Sequence, residues 1–274
     1  KNILYLARDL AGEKPLYICT NNKYLGFSSE VSPFKLFPGF KKSLNIEAVN
    51  YFLKKNYIPY PLSIYKGVFK LPPASLMTIN LNLFKYSHHD SFDEFISSDG
   101  VKLESWWEMP KAQDKFNLNS DKEIIDKTED ILLKSVSQQL ISDVPLGSFL
   151  SGGIDSSLIV ALMNSCSAKN ESFTVGYDFS DFDESKYAKK ISKHLGVKNH
   201  TIMCSKQEVI DLIPHIPNAF SEPFADSSQI PTMLISKLAR RSVKVMLSGD
   251  AGDELFGGYN RYIYANKYWR FIDK

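Results

Sequence analysis

An α/β protein built on a parallel sheet, with a β-rich segment in front of it, is the fold class this sequence predicts, and three observations lead there. Beyond Ser120, short apolar runs alternate with amphipathic helical patterns, the order expected of parallel strands joined by crossover helices. Ahead of Pro110, apolar runs are separated instead by Gly, Asn, Lys and Pro, as in a succession of strands and turns. The 274 residues also suffice for two domains, each able to bury a core, and the expected division is 1–110 and 111–274.

In chain order, Ile3–Ala7, Pro15–Thr20 and Tyr24–Ser28 read as strands. A helical pattern over Ile46–Lys55 is followed by a Pro-rich connection from Ile58 to Pro73. Ser75–Asn80 and Val101–Trp107 read as strands of a hairpin, with residues 82–99 as a solvated surface insertion between them. That insertion contains His88 and His89, but two adjacent histidines alone make a poor metal-ligand set. A polar linker after Pro110 leads to Ser120-x-x-Glu123, the capping-box pattern that opens a long helix. Strand Gly147–Leu150, a helix from Asp155, strand Ser172–Tyr177, a helix from Asp183 and strand Thr201–Met203 follow. Helices from Lys206 and over Met233–Arg240 then precede strand Val243–Leu247. Ligands of such sheets sit at the carboxyl ends of the strands, so the loops after Leu150, Tyr177 and Leu247 are the places to look for chemistry.

Composition excludes several classes. With 43% hydrophobic residues, 23% charged residues and a net charge of +2, the chain has no polyelectrolyte character, and nucleic acid is not expected as a partner. Cys19, Cys166 and Cys204 lie far apart with no C-x-x-C pair, which argues against a disulfide framework or a Cys-rich zinc site and fits a reducing cytoplasm. Cys19, inside a strand-like run, reads as a buried structural residue. No apolar run is long enough to cross a bilayer, and the opening KNILYLARDL lacks the layout of a signal peptide, so no membrane association is expected.

Two loops carry the chemistry. SGGIDSS, Ser151–Ser157, follows a strand and opens a helix, so its amides and hydroxyls can wrap an anion at the positive helix end. A plain turn needs one glycine and gains nothing from three hydroxyls beside a carboxylate; phosphate binding accounts for them better. Asp155 in a phosphate pocket makes sense as a ligand of Mg²⁺, which shares oxygen ligands with substrate phosphates. Neither G-x-x-x-x-G-K-[ST] nor G-x-G-x-x-G is present, so Walker-type γ-phosphate chemistry and dinucleotide binding are not indicated. LSGDAGDELFGGYNRY, Leu247–Tyr262, again runs from a strand through small residues into carboxylates, Asp250, Asp253 and Glu254. Glu254 is explained as well by the helix dipole as by any ligand role, whereas Asp253 and Asp155 on two strand-end loops suit one metal ion held between them.

SGGIDSS resembles the pyrophosphate loop, SGGxDS, of the ATP pyrophosphatases, which cut ATP between its α and β phosphates. Alone, that loop leaves GMP, NAD and argininosuccinate synthetases and tRNA-thiolating enzymes open. The second loop is similar to the LSGxGxDExFGGY motif of the asparagine synthetase family and the related β-lactam synthetases. RDLAGEKPLY (Arg8–Tyr17) and FSSE (Phe27–Glu30) resemble the end of that family's glutaminase domain, YKGVFKLPPASLMTI the connection after it, and SEPFADSSQIP (Ser221–Pro231) its amino-acid substrate segment. The resemblance implies a Rossmann-like ATP pyrophosphatase domain preceded by the closing part of an N-terminal-nucleophile αββα glutaminase domain. It implies ATP contacts at Phe149, Ser151, Gly152, Gly153, Ser156, Val175, Ser248 and Gly249, Asp155 and Asp253 on Mg²⁺-pyrophosphate, and Asp250 near an acyl-adenylate. The implied reaction is the ATP-dependent amidation of aspartate through β-aspartyl-adenylate, with ammonia freed from glutamine. A cytoplasmic enzyme is implied, with room for a homodimer.

The departures are specific. Ala251 stands where the resembled family usually has glycine or another small residue, and Ala74 where its connection commonly has glycine. No cysteine nucleophile opens the chain, and the family's phosphate-contacting lysine lies beyond Lys274, so the chain reads as truncated at both ends. Two rivals stay open at this point: a related synthetase acting on another carboxylate, and a non-catalytic nucleotide-binding fragment.

Overall fold

The structure, a computed structural model, describes residues 2–110, 120–166, 170–178 and 183–272. The linker expected after Pro110 lies outside the described residues. The chain divides into two compact units, Lys1–Lys115 with Pro214–Asp226, and Phe116–Ile213 with Ser227–Lys274.

In the first unit, β1 (Ile3–Ala7), β2 (Tyr17–Thr20), β3 (Leu25–Ser28), α1 (Ile46–Lys55), β4 (Val68–Lys70), β5 (Ser75–Asn80), α2 (Phe92–Ile96) and β6 (Val101–Ser105) follow one another. The strands form two antiparallel sheets, β1-β5-β6 and β3-β2-β4. Every residue of β2 is buried because both of its faces carry a core. Ile18 joins Leu6, Phe69, Met77 and Ile79, while Tyr17 and Cys19 join Val31, Phe34 and Val68. Helix α1 starts where the Asn45 side chain accepts from the Glu47 and Ala48 amides, and it ends at Asn56 with φ 66°.

The insertion at 82–99 is not the solvated loop that its polar residues suggest. Phe84, Phe92 and Phe95 are buried in the core that holds Phe69, and α2 is capped by the Ser91 hydroxyl. His89 is 3% exposed, with Thr20 Oγ1 3.0 Å from Nδ1 and Ser98 Oγ 2.9 Å from Nε2. Three phenylalanines among polar neighbours were enough to draw the segment inward, because each aromatic ring buried removes a large apolar area from water.

In the second unit, α3 (Asp121–Gln139) begins at Ser120, whose hydroxyl accepts from the Glu123 amide at 3.2 Å. β7 (Leu146–Phe149), α4 (Ile154–Cys166), β8 (Glu171–Tyr177), α5 (Ser185–Leu195), β9 (Lys198–Cys204) and α6 (Lys206–Leu212) follow. Pro214–Asp226, with the short helix α7 (Ile216–Ala219), belongs to the first unit. The second unit resumes with α8 (Gln229–Ala239), β10 (Val245–Leu247), α9 (Gly252–Phe256) and α10 (Asn260–Ile272). Its sheet has the order β10-β7-β8-β9, and every pair is parallel, as the alternation of strands and helices predicts. Leu150, Val160, Ala188 and Val197 pack on one face; Phe173, Ala239 and Val243 pack on the other.

Several boundaries differ from expectation for local reasons. β9 is longer than Thr201–Met203 because polar residues extend its pairing with β8: His200 stacks on Phe173 at 4.9 Å, and Asn199 accepts from the Thr174 hydroxyl. Helix α8 starts at Gln229 rather than Met233, since Pro231 falls in its first turn, where an amide has no intrahelical partner. β10 starts at Val245 because the Val243 amide still bonds the Ala239 carbonyl at 2.8 Å. No helix among the described residues is long and apolar enough to cross a membrane.

Candidate active site

The loops after β7 and β10 are neighbours because their strands pair directly, Leu247 with Ser148. The ladder with β8 continues one step past β7: the Leu150 amide donates to the Phe173 carbonyl at 2.9 Å and the Thr174 hydroxyl to the Leu150 carbonyl at 2.7 Å. These bonds hold Ser151 at the edge of the sheet. Phe149 pairs with Phe173, and Val175 lies two residues further on the same strand face, so Phe149 and Val175 share the side of the sheet that faces α8. Both are half-buried.

The Ser151–Ser157 turn is closed on its own hydroxyls. The Ser151 amide donates to Ser156 Oγ and the Gly153 amide to Ser151 Oγ, each at 3.2 Å, while the two hydroxyl oxygens are 2.9 Å apart. The Ser157 hydroxyl donates to the Gly153 carbonyl at 2.6 Å. A bound phosphate can take over as acceptor for these amides and hydroxyls at the amino end of α4, where the helix dipole favours negative charge.

The second loop closes against the first through missing side chains. A Cβ on Gly249 would fall 2.7 Å from the Asp155 carbonyl carbon and the Ser156 nitrogen, and one on Gly252 would fall 2.5 Å from Asp155 Cγ. Ser248 and Gly249 are thus brought to Asp155 and Ser156, and only glycine permits that approach. Asp250 is exposed and accepts from the Ser248 hydroxyl at 2.9 Å. Asp253 sits in the first turn of α9 with its carboxylate against Gly258. Glu254 accepts from the Tyr259 hydroxyl at 2.9 Å, which raises that phenol above its ordinary range. Gly252, which is not among the residues expected from the sequence, is nearer than Gly249 to the Asp155 carboxylate; its one signal in the sequence is a second glycine before the Asp253-Glu254 pair.

Ala251, the N-cap of α9, has φ 70°, and Ala74 has φ 50°. Both are left-handed conformations, which glycine adopts at less cost than alanine.

Among the described residues no group of three or more His, Cys, Asp or Glu could hold a metal. Asp155 lies in the first turn of α4 and Asp253 in the first turn of α9; two hard carboxylates of this kind fit Mg²⁺, because that ion takes one or two carboxylates and completes its shell with phosphate oxygens and water. The segment Ser221–Pro231 is divided: Ser221–Asp226 belongs to the first unit and Ser227 onwards to the second. Within the first unit, the Glu222 carboxylate is consumed by Lys70 Nζ at 2.6 Å, the Ile64 amide at 2.6 Å and the Tyr17 hydroxyl at 3.0 Å.

A family model described as asparagine synthase matches residues 127–274, and one described as a glutamine amidotransferase domain matches 1–89. A putative asparagine synthetase (glutamine-hydrolyzing) 2 of Methanocaldococcus jannaschii is 31% identical over 267 residues, covering 96% of this chain and 48% of the relative. Asparagine synthetase (glutamine-hydrolyzing) 1 of Bacillus subtilis is 33% identical over 262 residues, covering 95% and 38%. A more distant relative, 24% identical and covering 94% of this chain and 38% of its own length, is named amidase chry2 of Gibberella zeae. The chain therefore spans half or less of the length of these relatives.

Proposed function

The chain belongs to the asparagine synthase family, and from that premise we propose that its second unit binds ATP with Mg²⁺ at Ser151–Ser156 and Ser248–Asp253 and activates aspartate for amidation. The observation that supports this reading is the packing of Gly249 and Gly252 on Asp155, which brings the two strand-end loops together. A carboxylate oxygen of aspartate attacks the α-phosphorus of ATP, the bond to the bridging oxygen breaks, and pyrophosphate leaves. Ammonia then adds to the acyl carbon of β-aspartyl-adenylate, the bond to AMP breaks, and a proton passes to solvent. Hydroxyls of Ser151, Ser156 and Ser248 and the Gly152–Gly153 amides orient the departing phosphates; Phe149 and Val175 line the nucleotide's apolar side. Asp155 and Asp253 would hold Mg²⁺, which would supply positive charge to offset the negative charge building on the departing pyrophosphate. Asp250 lies near the acyl-adenylate, and the first unit is part of a domain that supplies ammonia from glutamine in a cytoplasmic enzyme.

The relative named an amidase favours a second reading, in which the acceptor is a different carboxylate. Pyrophosphate release with ammonia and a panel of amino acids separates the two. In the full-length enzyme, stimulation by aspartate above all others is expected; a stronger response to another carboxylate overturns the aspartate assignment.

A further inference from the structure

Gly152 has φ +92°, and a Cβ on it would fall 2.8 Å from Tyr187 Cβ and 2.9 Å from the Ala188 nitrogen. The middle of the Ser-Gly-Gly turn thus rests on the first turn of α5. Ala188 is fully buried in the cluster that contains Leu150, so this contact cannot slide without opening the core. The N-cap of α5, Glu184, makes no side-chain capping bond. The side chain that fixes the helix start is Asp183 instead: it accepts from the Ser185 amide at 3.1 Å, the Ser185 hydroxyl at 2.9 Å and the Tyr177 amide at 3.4 Å. It also covers the end of β8, for a Cβ on Gly176 would lie 2.8 Å from Asp183 Oδ1.

We propose that Asp183 is a positioning residue for the Ser-Gly-Gly turn: it clamps the end of β8, which carries Val175, to the start of α5, which backs Gly152. One carboxylate thereby sets the spacing between two walls of the site, and its consequence for nucleotide affinity rests on the ATP reading above. Asp183 serves as an acceptor in all three bonds, and its hydrogen bonds from Ser185 hold its carboxyl below the usual aspartate range, so it stays ionised at neutral pH. Displacing a turn by about an ångström can cost up to a hundredfold in the function it supports.

The test compares wild type with Asp183→Ala, Asp183→Asn and Glu184→Ala by amide hydrogen exchange over Ser151–Ser157 without nucleotide, and by calorimetry with ATP·Mg²⁺. Asp183→Ala is expected to speed exchange in the turn and weaken ATP·Mg²⁺ about tenfold. Asp183→Asn keeps an acceptor oxygen and recovers most of both, and Glu184→Ala changes neither. Ser185→Ala, which removes a single donor, is expected to show a smaller effect of the same kind should Asp183→Ala fail to fold. Unchanged exchange in Asp183→Ala or Ser185→Ala, or an Asn variant as impaired as the Ala variant, overturns the proposal. If exchange responds while wild type binds no ATP, the clamp stands and the nucleotide reading falls.

Discussion

The Gly252 Cα lies against the Asp155 carboxylate so closely that a side chain there would place its Cβ 2.5 Å from Cγ. The obstructed group is the end of a side chain, so Gly252→Ala would be accommodated by displacing the carboxylate rather than by unfolding the loop. We predict that Gly252→Ala weakens ATP·Mg²⁺ by about tenfold or more while leaving the melting temperature within a few degrees. Equal affinity would contradict the interlocked geometry.

Ala251 and Ala74 are held in left-handed conformations, φ 70° and φ 50°. An L-residue there costs about 1–2 kcal/mol, and glycine gives back about 0.5–1 kcal/mol through the greater freedom of the unfolded chain. Ala251→Gly and Ala74→Gly are therefore each predicted to stabilise the protein by about 0.5–1 kcal/mol in urea unfolding. A loss of stability in either would contradict the strain.

Glu222 and Lys70 form a buried pair, with 8% and 12% of their side chains exposed. Removing one partner of such a pair strands the other charge. Glu222→Ala is predicted to cost about 3 kcal/mol by urea titration. Glu222→Gln, which still accepts from the Ile64 amide and the Tyr17 hydroxyl, should cost less. A cost for Glu222→Ala below about 1 kcal/mol, the range of an exposed pair, would show that the pair is solvated in solution.

His89 is caged by hydroxyls, and burial holds its pKa below the ordinary histidine value despite nearby Glu94. Its folded-state pKa is depressed, so the unfolded chain binds the proton more readily. Stability is fully present above about pH 6.5 and is lost as the pH falls through the lowered folded value. Melting temperatures measured from pH 7.5 to 5 should fall more steeply for wild type than for His89→Gln. Parallel curves would contradict a buried neutral imidazole.

Much of this was legible in the sequence because the informative residues act locally. The SGGIDSS segment and the carboxylates from Asp250 to Glu254 each follow a strand and run into a helix, and the alternation around them points to a parallel sheet. The rest depends on contacts between segments distant in sequence. Gly252 matters because Asp155 is packed on it, and Gly152 because Tyr187 and Ala188 lie behind it; neither fact has a period or spacing. His89 and the phenylalanines of α2 are set among polar neighbours in the sequence, while their burial follows from Phe92 and Phe95 packing on Phe69 and from Phe84 and His89 packing on Phe95. The two alanines at positive φ were visible only as departures from a motif, and the backbone supplied the reason.

On the proposed reading, both loops together hold ATP with Mg²⁺. Calorimetric titration of ATP·Mg²⁺ into wild type and into Asp155→Ala/Asp253→Ala, with circular dichroism to establish that both are folded, tests it most directly. Wild type is predicted to bind and the double variant to lose at least about tenfold in affinity, with the loss confined to titrations that contain Mg²⁺. Equal binding by the two folded proteins would contradict the assignment of both aspartates.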